Sequence, residues 1–215
     1  MHTGFVDSLM DLENPVDWEV KYFRGAGWCS ANRHNHVAKQ ALDWYADYIL
    51  FFDCDQQYPE DLLPKMIDDM KSCDAVAAYT PSRLHNPDLP LRPFQPPTWN
   101  REGIINPKRG KLQEVSSIGT ECIMVRSEHL KVLTQPWFYE KYEGNLGDRT
   151  TNMDRIFCTR LQVEADATIW VDTSLKIKHL HVFPIDESFQ ERFADGTAPH
   201  WSKRMMYETT DNRPR

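Results

Sequence analysis

The chain lacks any apolar run near the ~18–20 residues that a membrane span needs, and its mean hydropathy is −0.62. Its first residues, Met1-His2-Thr3-Gly4-Phe5, contain neither a basic stretch nor a long apolar one, so no secretory leader is read there. A disulfide framework is missing too. The five cysteines are an odd number, and none stands in a Cys-x-x-Cys pair that would suit a zinc site. No Asn-x-Ser/Thr acceptor, internal repeat or low-complexity tract occurs. Together these absences predict a cytoplasmic protein. Positive charge is in deficit, 25 Lys+Arg against 32 Asp+Glu for a net of −7, which excludes coating of nucleic acid by bulk electrostatics. Glycine is scarce at nine residues, and Gly25-Ala26-Gly27 is too short for a phosphate-cradling loop. That shortage counts against a nucleotidyltransferase.

What is present is a core. Hydrophobic residues make up 40% and aromatics 12% of 215 residues, which predicts one folded domain over 1–215. Phe5, Leu9, Met10 and Leu12 recur at helical spacing. Trp18-Glu19-Val20-Lys21-Tyr22-Phe23 alternates as a strand does and stops at the glycine pair. Val37, Ala38, Ala41, Leu42 and Tyr45 predict a helix over roughly 33–47. Tyr48-Ile49-Leu50-Phe51-Phe52 reads as a strand buried on both faces. A helix over about 60–71 and a strand over 74–79 follow. Strand and helix in alternation predict an α/β fold, with a mixed, mostly parallel central sheet flanked by helices. Later, Ile118–Val125 reads as a strand, 151–165 as a helix, and 168–172 and 175–179 as two short strands.

Residues 80–115 differ in character. Seven of the fourteen prolines lie there, with six basic residues against three acidic ones, a local charge of +3 (6 − 3). A loop of this length inside a domain points to function. Its interleaved Phe94, Trp99 and Arg101 suit stacking on sugars or bases and contact with phosphates, or simple packing on the domain. The chain thus divides into 1–79, the Pro-rich basic loop 80–115, a half over 116–183, and a charged, aromatic surface segment over 184–215.

The best chemical signal is Asp53-Cys54-Asp55 directly after the apolar strand. In α/β sheets ligands sit beyond the carboxyl ends of strands. Two carboxylates placed there repel one another unless a cation or another partner neutralises them. Hard oxygen ligands suit Mg²⁺ or Mn²⁺, which bridge phosphates. The plain alternative is one Asp capping the next helix and the other solvated.

The order of motifs adds to this. Asn32-Arg33-His34-Asn35-His36-Val37-Ala38, then Tyr48–Asp55, then Tyr58-Pro59-Glu60-Asp61-Leu62-Leu63 resembles the nucleotide-sugar glycosyltransferases of the GT-A fold, particularly family-2-like enzymes, including forms found in phage genomes. Ile118-Gly119-Thr120-Glu121, Pro136-Trp137-Phe138, Asp154-Arg155-Ile156-Phe157-Cys158, Trp170-Val171-Asp172 and Lys178-His179 continue the resemblance in order over roughly 30–180. It implies a Rossmann-like GT-A fold. It further implies a metal-dependent transfer from a nucleotide-sugar, UDP-sugar favoured, to a hydroxyl on a nucleic-acid base, a protein or a glycan. For a phage-encoded chain the compartment would be the host cytoplasm. By resemblance Asp53 and Asp55 hold Mn²⁺ (or Mg²⁺) with His179, for which His181 competes. Arg33 lies by the donor pyrophosphate, and Asp154 is the base of an inverting reaction, with Glu121 as a second carboxylate. Trp99, Arg101 and Trp137 would meet the acceptor. The sequence departs from the family at Met153, where a Glu is usual, and at Glu121, where a Gly is usual. No counterpart of the family's first strand precedes Phe5–Leu12. Those departures would also follow from a non-catalytic binding module of this fold.

Overall fold

The computed structural model describes residues 3–80, 98–100, 103–105, 110–143, 148–180 and 184–185; 98–100, 103–105, 143, 148–150 and 184–185 are described as backbone only. In chain order the elements are α1 (Thr3–Asp11), α2 (Ser30–Asp43), β1 (Tyr48–Phe52), β2 (Gln56–Gln57), α3 (Leu62–Asp69), β3 (Ala75–Tyr79), β4 (Thr98–Asn100), β5 (Gly103–Ile105) and β6 (Leu112–Glu114). Then come β7 (Cys122–Arg126), α4 (Ser127–Val132), β8 (Lys141–Glu143), β9 (Asp148–Thr151), α5 (Met153–Ala165), β10 (Ile169–Lys176), β11 (Lys178–Leu180) and β12 (Pro184–Ile185).

The central sheet has the order β1-β7-β3-β10-β6. The α/β class holds, and the expectation of a mostly parallel sheet is corrected. β1, β3 and β10 do run in one direction, as right-handed crossovers dictate. The oppositely directed β7 inserts between β1 and β3, pairing Phe51 with Ile123 and Ala77 with Ile123. Only the β3–β10 pair is parallel, and β10–β6 is antiparallel. A sequence pattern reports which strands are buried, not which strand comes between two others.

Alternation along each strand sends side chains to two faces. On one face Ile49, Phe51, Ala77 and Ile123 meet Ala38 and Ala41 of α2 and Phe157 and Leu161 of α5. On the other, Val76, Ala78 and Met124 meet Phe5 of α1, Leu62 and Met66 of α3, and Met70 just after it. α5 begins where Asn152 caps it, its side-chain oxygen accepting from Arg155 N–H at 3.2 Å.

Two further expectations change. The alternating segment 18–23 forms no strand; Trp18 packs on Tyr48 at 5.3 Å and Phe23 on Trp44 at 6.1 Å. Among the described residues no backbone hydrogen bond joins it to β1, and segment 17–23 lines a cleft of about 480 Å³ together with residues of β1 and α2. Apolar alternation marks a half-buried segment, while a strand also needs a ladder partner. The two strands expected over 168–179 are one long β10 with an irregular register between Asp172 and Lys176, followed by β11 in a different sheet, β12-β11-β2.

Candidate active site

β1 delivers Asp53 to the carboxyl end of the sheet, and the ladder continues one bond further, Asp53 N–H donating to Glu121 O at 2.9 Å. The Tyr58 hydroxyl lies 2.8 Å from Asp53 O and fixes the turn from the other side. The small sheet explains the next pairing. Gln56 of β2 opposes His179 of β11, and Leu180 N–H donates to Asp55 O at 2.7 Å. His179 Nε2 consequently stands 3.6 Å from Asp55 Oδ2, a pairing of residues 124 positions apart. His181 lies outside the described residues.

α2 supplies a residue that the sequence reading passed over. His34 is buried, stacked on Phe51 at 5.4 Å and tilted on Phe138 at 4.9 Å, with Nδ1 2.9 Å from Ser30 O. Its charge acts on Asp53. The helical period signalled only that position 34 could face inward among the ring of Asn and His residues at 32–36. Asn35, its neighbour, brackets Phe138, donating to its O at 2.7 Å and accepting from its N–H at 3.0 Å.

Asp154 sits in the first turn of α5, where the helix macrodipole favours a carboxylate. Oδ1 accepts from Thr120 Oγ1 at 2.5 Å and Thr120 N–H at 3.3 Å, and Oδ2 from Asn152 Nδ2 at 3.2 Å. The carboxylate is thus tied to the segment entering β7. Glu121 follows Thr120, and its carboxylate folds over Gly119 so closely that a Cβ there would lie 1.9 Å from Oε2. Glycine at 119 is what admits it.

The electrostatics bind these groups into one site. Burial raises the Asp53 carboxyl above its usual range; His34 opposes this, Asp55 and Asp154 add to it, and His179 opposes it again. Glu121 is pushed up to about 7, by burial first and then by the negative charge of Asp154 and Asp53, with His179 opposing. Four carboxylates and two imidazoles therefore sense one another at one end of the sheet. Such a concentration of negative charge attracts a cation. The Asp55–His179 pair offers oxygen and nitrogen donors of the kind Mn²⁺ accepts. No group of three or more metal-ligating side chains is assembled among the described residues.

The remaining expected residues are placed elsewhere. Arg33 is exposed in the first turn of α2, its Nε donating to Gly27 O at 3.3 Å, and no contact to the carboxylates is present among the described residues. Trp137, expected at the acceptor, packs inward. It is 4% exposed in the core, and its indole N–H donates to Leu130 O at 2.8 Å, so burial and hydrogen bonding consume both its faces and its polar handle. The side chain of Trp99, in β4, and all of Arg101 and Phe94 lie outside the described residues.

Residues 6–134 match glycosyl transferase family 2. Among solved structures, A197 from STIV is 18% identical, covering 70% of this chain and 67% of that chain with a TM-score of 0.48. A search of curated proteins finds no match. No helix among the described residues is long and apolar enough to cross a membrane.

Proposed function

The chain belongs to glycosyl transferase family 2, and from that membership we propose that it moves a sugar from a nucleotide-sugar, UDP-sugar favoured, to an acceptor hydroxyl with inversion. The observation that supports this reading is the convergence of Asp53, Asp55, Glu121 and Asp154 with His34 and His179 at the carboxyl end of β1. In this reading Asp55 and His179, with Asp53 beside them, would hold Mn²⁺ or Mg²⁺. When bound, the cation would neutralise charge developing on the leaving diphosphate.

The rest is done by the chain. Asp154 takes the proton of the acceptor hydroxyl as its oxygen attacks the anomeric carbon and the bond to the diphosphate breaks. Thr120 and Asn152 hold that carboxylate in place with three hydrogen bonds. Glu121 keeps a second carboxyl beside it. His34, clamped between Phe51 and Phe138, offsets part of the negative charge at Asp53. The acceptor is a hydroxyl on a nucleic-acid base, a protein or a glycan; the +3 loop at 80–115 favours a phosphate-bearing one.

The test is a melting panel of UDP, GDP, CDP and dTDP, each with Mn²⁺, Mg²⁺ or EDTA, beside Asp53→Asn/Asp55→Asn. A ligand at one hundred times its Kd adds about 2.7 kcal/mol to stability. A Mn²⁺-dependent rise with one nucleotide, absent from the double variant, is expected. Slow hydrolysis of the matching nucleotide-sugar that is lost in Asp154→Asn would separate an enzyme from a binding module. Melting that no nucleotide moves would refute the donor site.

A further inference from the structure

Trp28 stands out among the described apolar residues. It is 99% exposed, where Trp18 is 41% exposed and Trp137 only 4%. Holding an indole entirely in water forgoes the burial that aromatic side chains ordinarily gain. The segment that carries it is braced. Ala26 N–H donates to His36 Nδ1 at 3.0 Å, Arg33 Nε to Gly27 O at 3.3 Å, and Cys29 Sγ to Asn32 Oδ1 at 2.7 Å. Gly27 has φ +146°, and a Cβ there would come within 2.5 Å of Asn32 Cβ, so the turn lies flat against the start of α2. The backbone is pinned and the indole projects from it.

Its position matters as much. His34, near the start of α2, stacks on Phe51, near the end of β1, at 5.4 Å, so the start of α2 and the Asp53 end of β1 share one end of the molecule. His34, whose charge acts on Asp53, is on the same helix five residues after its N-cap Cys29, about 7.5 Å along the axis. The side chains around Trp28 decide the chemistry of what it meets. Gly25, Ala26, Gly27 and Cys29 offer no groups to take sugar hydroxyls in pairs, Asn32 Oδ1 is taken by Cys29 Sγ, and Arg33, bonded to Gly27 O, brings a guanidinium to the same turn, a partner for phosphate. A flat π surface on a turn that also carries a guanidinium suits a base attached to phosphates.

We propose that Trp28 is the platform on which the base of the nucleoside diphosphate donor stacks, a donor-binding residue whose role rests on the donor reading above. With a divalent cation held, Asp53 and Asp55 would face the diphosphate end, and Trp28 the base end, of one extended ligand.

The experiment uses the full chain and its Trp28→Ala and Trp28→Phe variants, titrated calorimetrically in Mn²⁺ with UDP, GDP, CDP and dTDP, and separately with inorganic pyrophosphate. Loss of one base–aromatic stack weakens nucleotide binding roughly 5- to 150-fold. The expected result is that loss in Trp28→Ala, recovery of most of it in Trp28→Phe, and unchanged affinity for pyrophosphate in both. Melting temperatures stay equal, because an exposed side chain holds nothing together. Unchanged nucleotide affinity in Trp28→Ala overturns the proposal and leaves the donor site standing. So does a parallel loss of pyrophosphate, which would mean that the turn rather than the indole was serving. A wild-type chain that binds pyrophosphate but no nucleotide also overturns it. A chain that binds neither overturns the donor reading together with it.

Discussion

Asp69, at the end of α3, carries a carboxyl pushed up to about 6, by burial first, then by the charge and hydrogen bond of Asp172 and the charge of Asp68, with Lys65 opposing. Asp172 accepts from Ser174 N–H at 2.7 Å and from Ser174 Oγ at 2.8 Å. A folded-state value above the unfolded one, near 4 for Asp, favours the folded chain when protonated. That contribution is fully present below about pH 4 and is lost as pH rises through about 6. Glu121, at about 7, adds a loss of the same sign. Melting temperature is therefore expected to fall between pH 5 and pH 7.5, and Asp69→Asn to flatten the lower part of that slope. An identical slope in the variant would remove Asp69 from the account.

Two substitutions probe the site at the same scale. Asp154→Asn should lower transfer roughly 100-fold or more while the chain still melts cooperatively, since a positioned general base contributes on that order. Gly119→Ala should fold, because the group its Cβ meets is the far end of a flexible side chain. It should nevertheless displace the Glu121 carboxylate and remove the loss of stability near pH 7, read as melting temperature against pH. Asp53 and Asp55 were legible in the sequence from their place directly after an apolar strand, whereas Asp154 and Glu121 came only from the family resemblance. Trp137, expected at the acceptor, is 4% exposed in the core. An aromatic beside a proline looks the same from the sequence whether it lines a cleft or fills the core.

Elements meet through few side chains, and Arg160 of α5 is one of them. It is 7% exposed, and its guanidinium donates to Pro136 O at 2.7 Å, to Thr134 O at 2.8 Å and to Glu164 Oε1 at 2.8 Å. These bonds hold the 134–137 turn, which presents Phe138 to His34, against α5. Arg160→Ala should cost about 1.5–3 kcal/mol in denaturant unfolding, because it removes the charged donor that ties Thr134 O and Pro136 O to α5. Arg160→Lys should recover little, since an ammonium cannot span the same fan of acceptors. Element boundaries read from periodicity came within a few residues for α2, β1, α3, β3 and α5. Segment 18–23 did not form its strand, and six-residue α4 had too short a period to be seen at all.

At the scale of the whole molecule, two apolar clusters share one sheet. Phe157, fully buried and stacked on Phe138 at 4.0 Å, belongs to one; Met66, fully buried, belongs to the other. Because every strand between them contributes side chains to both faces, neither cluster can dissolve alone. Phe157→Ala should lose about 3–5 kcal/mol and Met66→Ala about 2–5 kcal/mol, each shifting the same single transition. Far- and near-ultraviolet circular dichroism that diverged in either variant would show the two faces to be independent.

The sequence by itself determined the local decisions: which runs are buried, where β1 ends in Asp53 and Asp55, and that Asp154 opens a helix. Each follows from periodicity, capping or charge within a dozen residues. The tertiary structure alone decided that β7 lies between β1 and β3 and that β11 carries His179 to Asp55 across 124 positions. It alone turned His34 toward Asp53 and left Trp28 in solvent while Trp137 went into the core. The physical reason is common to all of these. Strand order, ring burial and charge proximity depend on which surfaces meet after the chain closes on itself, and side chains of the same type carry no mark of their eventual neighbours.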